Sequence, residues 1–227
     1  MFSIIFPMDL DRLEQFAKTK KVYDAMPQTK QFIIPTRSKD LFNILKKKGL
    51  TKDLMTIIYS LEEGFNCSKA LNIGVRNAQF DNIIISSPEV KPLTDVLEQF
   101  EDSPDSNIIA QVFDEDVFGQ RMSLVNKSFR GDSPAMYFLA KFNKKDIEAI
   151  NGWDEAFLKG YAYEDNDFGD RWNRAGLPFE IREDIQALHQ YHPRTETISN
   201  GLNINHQTYQ ENNAKGVIKP MNGLRKL

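Results

Sequence analysis

Four carboxylates, Glu164, Asp165, Asp167 and Asp170, stand within seven residues of one another. They follow an aromatic, glycine-punctuated stretch, Asn151-Gly152-Trp153-Asp154-Glu155-Ala156-Phe157 and then Tyr161-Ala162-Tyr163. Phe168, Trp172 and Ala175 keep i, i+4, i+7 spacing, Arg171 and Arg174 come late, and Gly176 and Pro178 close the run, so the spacing predicts a helix whose first turns carry the acids. Negative charge is favoured at that end of a helix, and Asp165 suits the N-cap position. A solvated, capped helix start would account for one or two acids. It does not explain Trp153, Tyr161 and Tyr163 beside them, flat apolar faces that suit a sugar ring whose hydroxyls the carboxylates bind. The chemistry such a set can do is proton removal from a hydroxyl.

A second group lies downstream, in Leu188-His189-Gln190-Tyr191-His192-Pro193, which holds two of the chain's three histidines. At i, i+3 they share a side only on a helix or turn, because a strand would send them to opposite faces. Taken alone, such a pair is more often structural than metal-ligating. The single cysteine, Cys67, rules out an intrachain disulfide and reads as a small buried residue in a reducing compartment.

The elements that must position these groups are legible as short apolar runs. Ser3 to Phe6, Gln31 to Ile34, Leu54 to Tyr59, Asn82 to Ile85 and Asn107 to Val112 read as strands, each followed by a turn signal. Between them Leu10/Leu13/Ala17, Leu41/Ile44/Leu45 and Ala70/Leu71/Gly74/Val75/Ala78 keep helical spacing. Alternating strands and helices predict an α/β fold with a mainly parallel, doubly wound sheet, whose ligands sit beyond the carboxyl ends of the strands. Past Val112 the pattern loosens. Ala135 to Phe142 reads as a further strand, and Asn143 as the cap of a short helix, Lys144 to Ile150. Beyond Pro193 the chain is polar and Asn-rich, which predicts an extended arm or flexible tail over 195–227.

Lys+Arg 29 against Asp+Glu 32 gives a formal net charge of −3, so there is no global pull toward nucleic acid. The apolar start Phe2 to Phe6 is too short for a signal peptide, and no run approaches the roughly 20 apolar residues of a membrane span. The expectation is a soluble, cytoplasmic protein of 227 residues with one generous domain.

The run from Ile150 to Arg174 resembles the C-terminal segment of inverting GT-A glycosyltransferases, the β1,4-galactosyltransferase group and related family 2 enzymes. Gly152-Trp153-Asp154-Glu155-Ala156-Phe157 and Glu164-Asp165-Asn166-Asp167 match its two motifs nearly position by position. Upstream, Ala70-Leu71-Asn72-Ile73-Gly74 is similar to the family's Ala-Arg-Asn-x-Gly helix, with Leu71 where arginine is usual. Asn82 to Pro92 takes the place of the strand ending in the Asp-x-Asp metal motif, which reads Ser87-Pro88-Glu89 here. The resemblance implies a GT-A (Rossmann-like) catalytic domain over 1–194, with a nucleotide-sugar half at 1–112 and an acceptor half at 113–194. It implies transfer from a nucleotide-diphosphate sugar to a glycan or other hydroxyl acceptor, modified DNA bases among them, with Asp165 as base and Glu164 orienting the acceptor. Trp153, Tyr163 and Asp167 would bind acceptor. Pro7, Thr36, Arg37, Lys69, Asn72 and Arg76 would bind donor. Mn2+ or Mg2+ would be held by Glu89 and His192, with His189 a second histidine ligand. Should that motif bind no ion, Lys69, Arg76 or Arg121 would have to neutralise the diphosphate.

Two further readings accompany it. Ile4-Ile5-Phe6-Pro7-Met8-Asp9-Leu10-Asp11 superficially resembles the strand and Asp-x-Asp nucleophile motif of haloacid-dehalogenase-type phosphatases. The incomplete Ser87-Pro88-Glu89 would suit a transferase-like domain that only binds a sugar.

Overall fold

The computed structural model describes residues 1–59, 65–125, 138–157, 162–193 and 198–225, the side chains of 198–203 excepted. Four parallel strands form one half of the sheet: β1 (Phe2–Ile5), β2 (Lys30–Thr36), β3 (Leu54–Tyr59) and β4 (Asn82–Ser86), in the order β3-β2-β1-β4. β1 and β2 are buried along their whole length, as continuous apolar runs in a parallel sheet must be, whereas edge strand β3 is half-exposed. The sheet then turns mixed. β8 (Leu139–Asn143) runs antiparallel to β4 and to β6 (Ile108–Glu115), and β9 (Glu180–His189) lies parallel to β6. β5 (Val90–Pro92) closes the far edge on β9, and β7 (Arg121–Leu124) pairs with β6. Residues 135–137 of the strand expected over Ala135 to Phe142 lie outside the described residues.

Helices cover both faces. On one side α1 (Leu13–Ala25), α2 (Leu41–Lys47) and α4 (Val96–Glu101) pack Phe16, Tyr23, Leu45, Leu97 and Phe100 into a core with Phe6 and Phe32. On the other, α3 (Cys67–Arg76), α5 (Lys144–Ala149) and α6 (Glu164–Arg174) bury Leu71, Val75, Ile147, Phe168 and Trp172 against Ile5, Ile85 and Phe142. Gly74 lets α3 approach β1, since a Cβ there would meet Ile5 Cγ2 at 2.3 Å. Asn66 caps α3 by accepting from Lys69 N (2.7 Å) and donates its amide to Phe157 O (3.0 Å), tying the helix start to the loop that leads toward the acids. Asn143 precedes α5 without a side-chain cap bond, its amide donating instead to Asp105 O.

The polar C-terminal segment is not an extended arm. It forms α7 (Ile198–Ala214), which packs on α6, and the chain then returns so that Leu224 joins the α3/α6 core. Among the described residues no helix is long and apolar enough to cross a membrane.

Candidate active site

Glu89, after β4, meets His189 at the end of β9 and His192 just beyond it. One ligand atom from each lies within 4.8 Å of the others. Both Nε2 atoms converge on Glu89 Oε1, at 3.6 Å from His189 and 3.8 Å from His192. His189 Nδ1 lies 3.0 Å from Asp114 Oδ1, and His192 Nδ1 lies 3.1 Å from Pro193 O. A carboxylate and a carbonyl can each accept from Nδ1–H, so that each neutral imidazole would turn its Nε2 toward a cation; this is how metal-ligating imidazoles are oriented. Glu89 Oε2 is buried with no hydrogen-bond partner. One carboxylate and two imidazoles with a buried, unpartnered oxygen fit a divalent cation such as manganese.

The charges agree with this geometry. Burial opposes ionisation of Glu89, but His189 and Arg12 outweigh it and hold the carboxyl below its ordinary range. Burial likewise disfavours charge on His189, yet the hydrogen bonds of Glu89 and Asp114 keep the imidazole above its usual value. His192 is pushed down, chiefly by burial. The i, i+3 spacing works because the chain leaves the strand at His189 and turns, so the alternation of a strand no longer separates the rings, which meet edge to face at 5.2 Å.

The acid pair opens α6. The helix begins at Glu164 with Tyr163 in the N-cap position, φ 76°, without a side-chain cap; Asp165 is therefore inside the first turn and is not the cap. Burial first, then the charge of Asp165, pushes the Glu164 carboxyl up to about 8. Cys67, in the first turn of α3, is within electrostatic reach of both groups. Its thiol is raised well above its ordinary value by burial and then by Glu164, Asp165 and Glu89.

Several expected site residues do other work. Trp153 is 1% exposed and stacked on Phe168 at 4.1 Å, so it is core and has no face for a sugar. Asp167 is fully buried. It accepts from Arg171 Nε (2.7 Å) and Asn212 Nδ2 (2.8 Å), which occupies the carboxylate expected to bind acceptor. The Tyr163 ring lies against His206 and Tyr209 of α7, so the stacking expected with a sugar is met by the protein's own rings. Tyr161 lies outside the described residues.

On the donor side, Asn72 is fully buried, holding Trp153 through N–H···Oδ1 (2.9 Å) and Nδ2–H···O (2.8 Å) bonds. Gly152 allows this, since a Cβ there would meet Asn72 Oδ1 at 2.4 Å. Arg76 sits at the far end of α3, roughly 13 Å along the axis from Cys67, and donates to Leu224 O (2.8 Å). Neither is placed to touch a donor held at the start of α3. Pro7 and Thr36 are buried at the carboxyl ends of β1 and β2, and the Thr36 hydroxyl accepts from Ser38 N. Exposed Arg37 is paired with Asp9. Half-buried Lys69 stays beside the site, in the first turn of α3. Arg121 stacks over Phe113, 3.2 Å from its centroid. The phosphatase-like reading loses its nucleophile, because Asp9 caps the 3-10 turn Leu10–Arg12 and pairs with Arg37.

Two contributors carry no local signal of their role. Asp114 faces His189 because β6 and β9 are parallel neighbours in register, a non-local pairing. Arg12, 3.9 Å from Glu89, is brought in by the turn before α1.

Residues 120–194 match the model of a family described as the N-terminal domain of galactosyltransferase. A Bacillus subtilis (strain 168) protein described as the uncharacterized glycosyltransferase YfnE is 40% identical over 50 residues, covering 22% of this chain and 12% of its own. Among solved structures, Staphylococcus aureus TarS superposes with a TM-score of 0.62 at 10% identity, over 85% of this chain and 37% of TarS. The mannosyltransferase PcManGT from Pyrobaculum calidifontis, solved with GDP-Man and Mn2+, gives 0.62 at 10% identity over 95% and 64%. The chain therefore spans only a part of these relatives. Its fold is theirs, GT-A, and residues 120–194 are similar to a galactosyltransferase-family segment.

Proposed function

We propose that the chain transfers a sugar, with inversion, from a nucleoside-diphosphate sugar to a hydroxyl acceptor, with Asp165 as the general base. The observation that carries this is the Glu89–His189–His192 set, whose ligand atoms lie within 4.8 Å of one another and suit a cation, in a chain whose α6 opens on an acid pair suited to proton removal. Burial and the charge of Asp165 push the Glu164 carboxyl up to about 8, so Glu164 would hold the proton near neutral pH while Asp165 sits in the first helical turn, where the helix favours negative charge. Asp165 would accept the acceptor's hydroxyl proton from about 3 Å as attack proceeds, and protonated Glu164 would donate a hydrogen bond that fixes the acceptor. A divalent ion, when bound by Glu89, His189 and His192, would neutralise the departing diphosphate. Asp114 and the Pro193 carbonyl would keep both imidazoles turned inward, and Arg12 would add positive charge beside Glu89.

PcManGT, with its bound GDP-Man and Mn2+, supports this class of donor and ion. The test is a hydrolysis and transfer screen over UDP-, GDP- and dTDP-sugars with and without manganese. Asp165→Asn should lower kcat by at least 10²-fold, the scale of general-base loss, while donor affinity stays within twofold. Full activity in that variant removes Asp165 from the role of base.

A further inference from the structure

Two consecutive non-glycine residues, Ala162 (φ 68°) and Tyr163 (φ 76°), adopt the left-handed conformation directly before the acid pair. That conformation is strained for any residue with a Cβ, and such strain persists only where the surroundings hold it. The helix start supplies no side-chain cap. The support comes from α7. Asn205, 1% exposed, donates Nδ2–H to Ala162 O (2.9 Å). One turn on, Tyr209 packs against the Tyr163 ring and donates its hydroxyl to Asp170 (2.6 Å). Asn212 bridges Asp154 (3.0 Å) and Asp167 (2.8 Å), and Asn213 donates to Asp170 (3.2 Å) and accepts from Arg174 (2.7 Å). Residues 205, 209, 212 and 213 follow i, i+4, i+7, i+8, one face of a helix. Its asparagines and tyrosine read α6 and its approach through hydrogen bonds.

These rungs differ in what they hold. Asn212 and Asn213 grip the body of α6, whereas Asn205 hydrogen-bonds the turn ahead of it, against whose Tyr163 ring His206 and Tyr209 pack.

We propose that α7 is the positioning arm of the acceptor-side site and that Asn205 is its positioning residue, locking the Ala162–Tyr163 turn in the conformation that presents Glu164 and Asp165. The proposal rests on the sugar-transfer reading for its consequence in catalysis. Asn205 touches no reacting atom. Its loss lets the turn relax to right-handed or extended backbone, and the acid pair then swings away from its place beside Cys67.

The experiment compares Asn205→Leu, which keeps much of the volume but removes the donor without adding charge, and Asn205→Ala with Asn213→Ala, which loosens α7 without touching the turn. Expected is a fall in kcat of at least tenfold for both Asn205 variants, donor KM within twofold, and a kcat near wild type for Asn213→Ala in the folded fraction. A second readout needs no turnover: the Glu164 carboxyl carbon followed by NMR against pH. With Asp165 on its own helix and Cys67 on α3 as the titrating groups in reach, Glu164 should titrate near 8 in the wild type. In both Asn205 variants it should move toward the ordinary carboxyl range, as the turn releases it into water. An unchanged titration, or equal losses of kcat in the Asn205 and Asn213 variants, overturns the proposal. If the wild type transfers no sugar, the sugar-transfer reading fails, and the titration still decides the role of Asn205.

Discussion

Replacing Arg171 with Met should destabilise the site's scaffold while removing none of the proposed reacting groups. Arg171 is fully buried, and its guanidinium donates to Asp167 Oδ2 (2.7 Å), Ile150 O (3.1 Å) and Gly152 O (2.8 Å). It thereby pins α6 to the loop that carries Trp153. Methionine fills much of the volume but offers no donor, so Asp167 would keep one partner, Asn212. Removing one member of a buried ion pair costs about 3–5 kcal/mol. Leaving two carbonyls unpaired pushes the loss toward the upper end, without strict additivity. Taking ~4 kcal/mol, and ~2–4 °C per kcal/mol for a chain of this size, Tm should fall by about 8–16 °C. The assay is urea unfolding followed by tryptophan fluorescence, since Trp153 and Trp172 both lie in this cluster. The double variant Arg171→Met/Asp167→Leu should recover at least ~1.5 kcal/mol relative to additivity, because it leaves no unpaired buried charge. A loss below about 1 kcal/mol in the single variant, or strict additivity in the double, would show that the pair does not hold the loop.

Further outcomes follow from the same geometry. Glu164 in the folded protein titrates near 8, above its unfolded value, so its contribution is complete below about pH 4.5 and is lost as pH rises toward 8. Glu164→Gln should therefore match the wild type in urea unfolding at pH 4.5 and exceed it at pH 9 by on the order of 2–4 kcal/mol; equal stability at both pH values contradicts the burial of that carboxyl. Trp153→Phe should lose ~1–3 kcal/mol with unchanged KM for donor and acceptor, whereas a raised acceptor KM would restore it as a sugar platform. Gly74→Ala, which drives a Cβ into Ile5, should cost ~1–3 kcal/mol in the same unfolding assay.

The sheet was readable because central parallel strands are apolar on both faces, as β1 and β2 are, and the helices between strands fall where the spacing places them. The metal-type set was readable only in pieces. Glu89, His189 and His192 are identifiable in sequence, but Asp114 joins them through the pairing of β6 with β9, which no local pattern encodes. At the acid cluster the residue types misled. Trp153, Asp167 and Asn72 have the chemistry of a sugar site, yet the fold spends them on attaching α6 and α3 to the loop between β8 and α6. Asp167 and Arg171 stand at i, i+4, so their pairing was within reach of spacing alone. The Asn-rich C-terminus reads as a tail because asparagine has weak helix propensity, and α7 owes its stability to partners on α6 that are remote in sequence.

The acid pair and the Glu–His–His set constrain each other through charge. A diphosphate held at the Glu–His–His set would lie against Glu89, with Asp114 close behind His189. Arg12 is 3.9 Å from Glu89, so its charge is already engaged by a carboxylate; Lys69 is the basic side chain left in the first turn of α3. Among the described residues beside this set, one lysine would not balance two phosphates facing carboxylates. Donor binding should therefore depend on a divalent cation. In calorimetry, manganese should bind the wild type alone and raise donor affinity at least tenfold. Glu89→Ala should abolish that binding. Asp114→Asn, which weakens the hold on the His189 ring without removing a ligand, should lower manganese affinity by roughly 10-fold or more. Donor binding of equal strength with chelator and with manganese would show that Lys69 and Arg12 suffice, and would detach the histidine pair from the chemistry of the acid cluster.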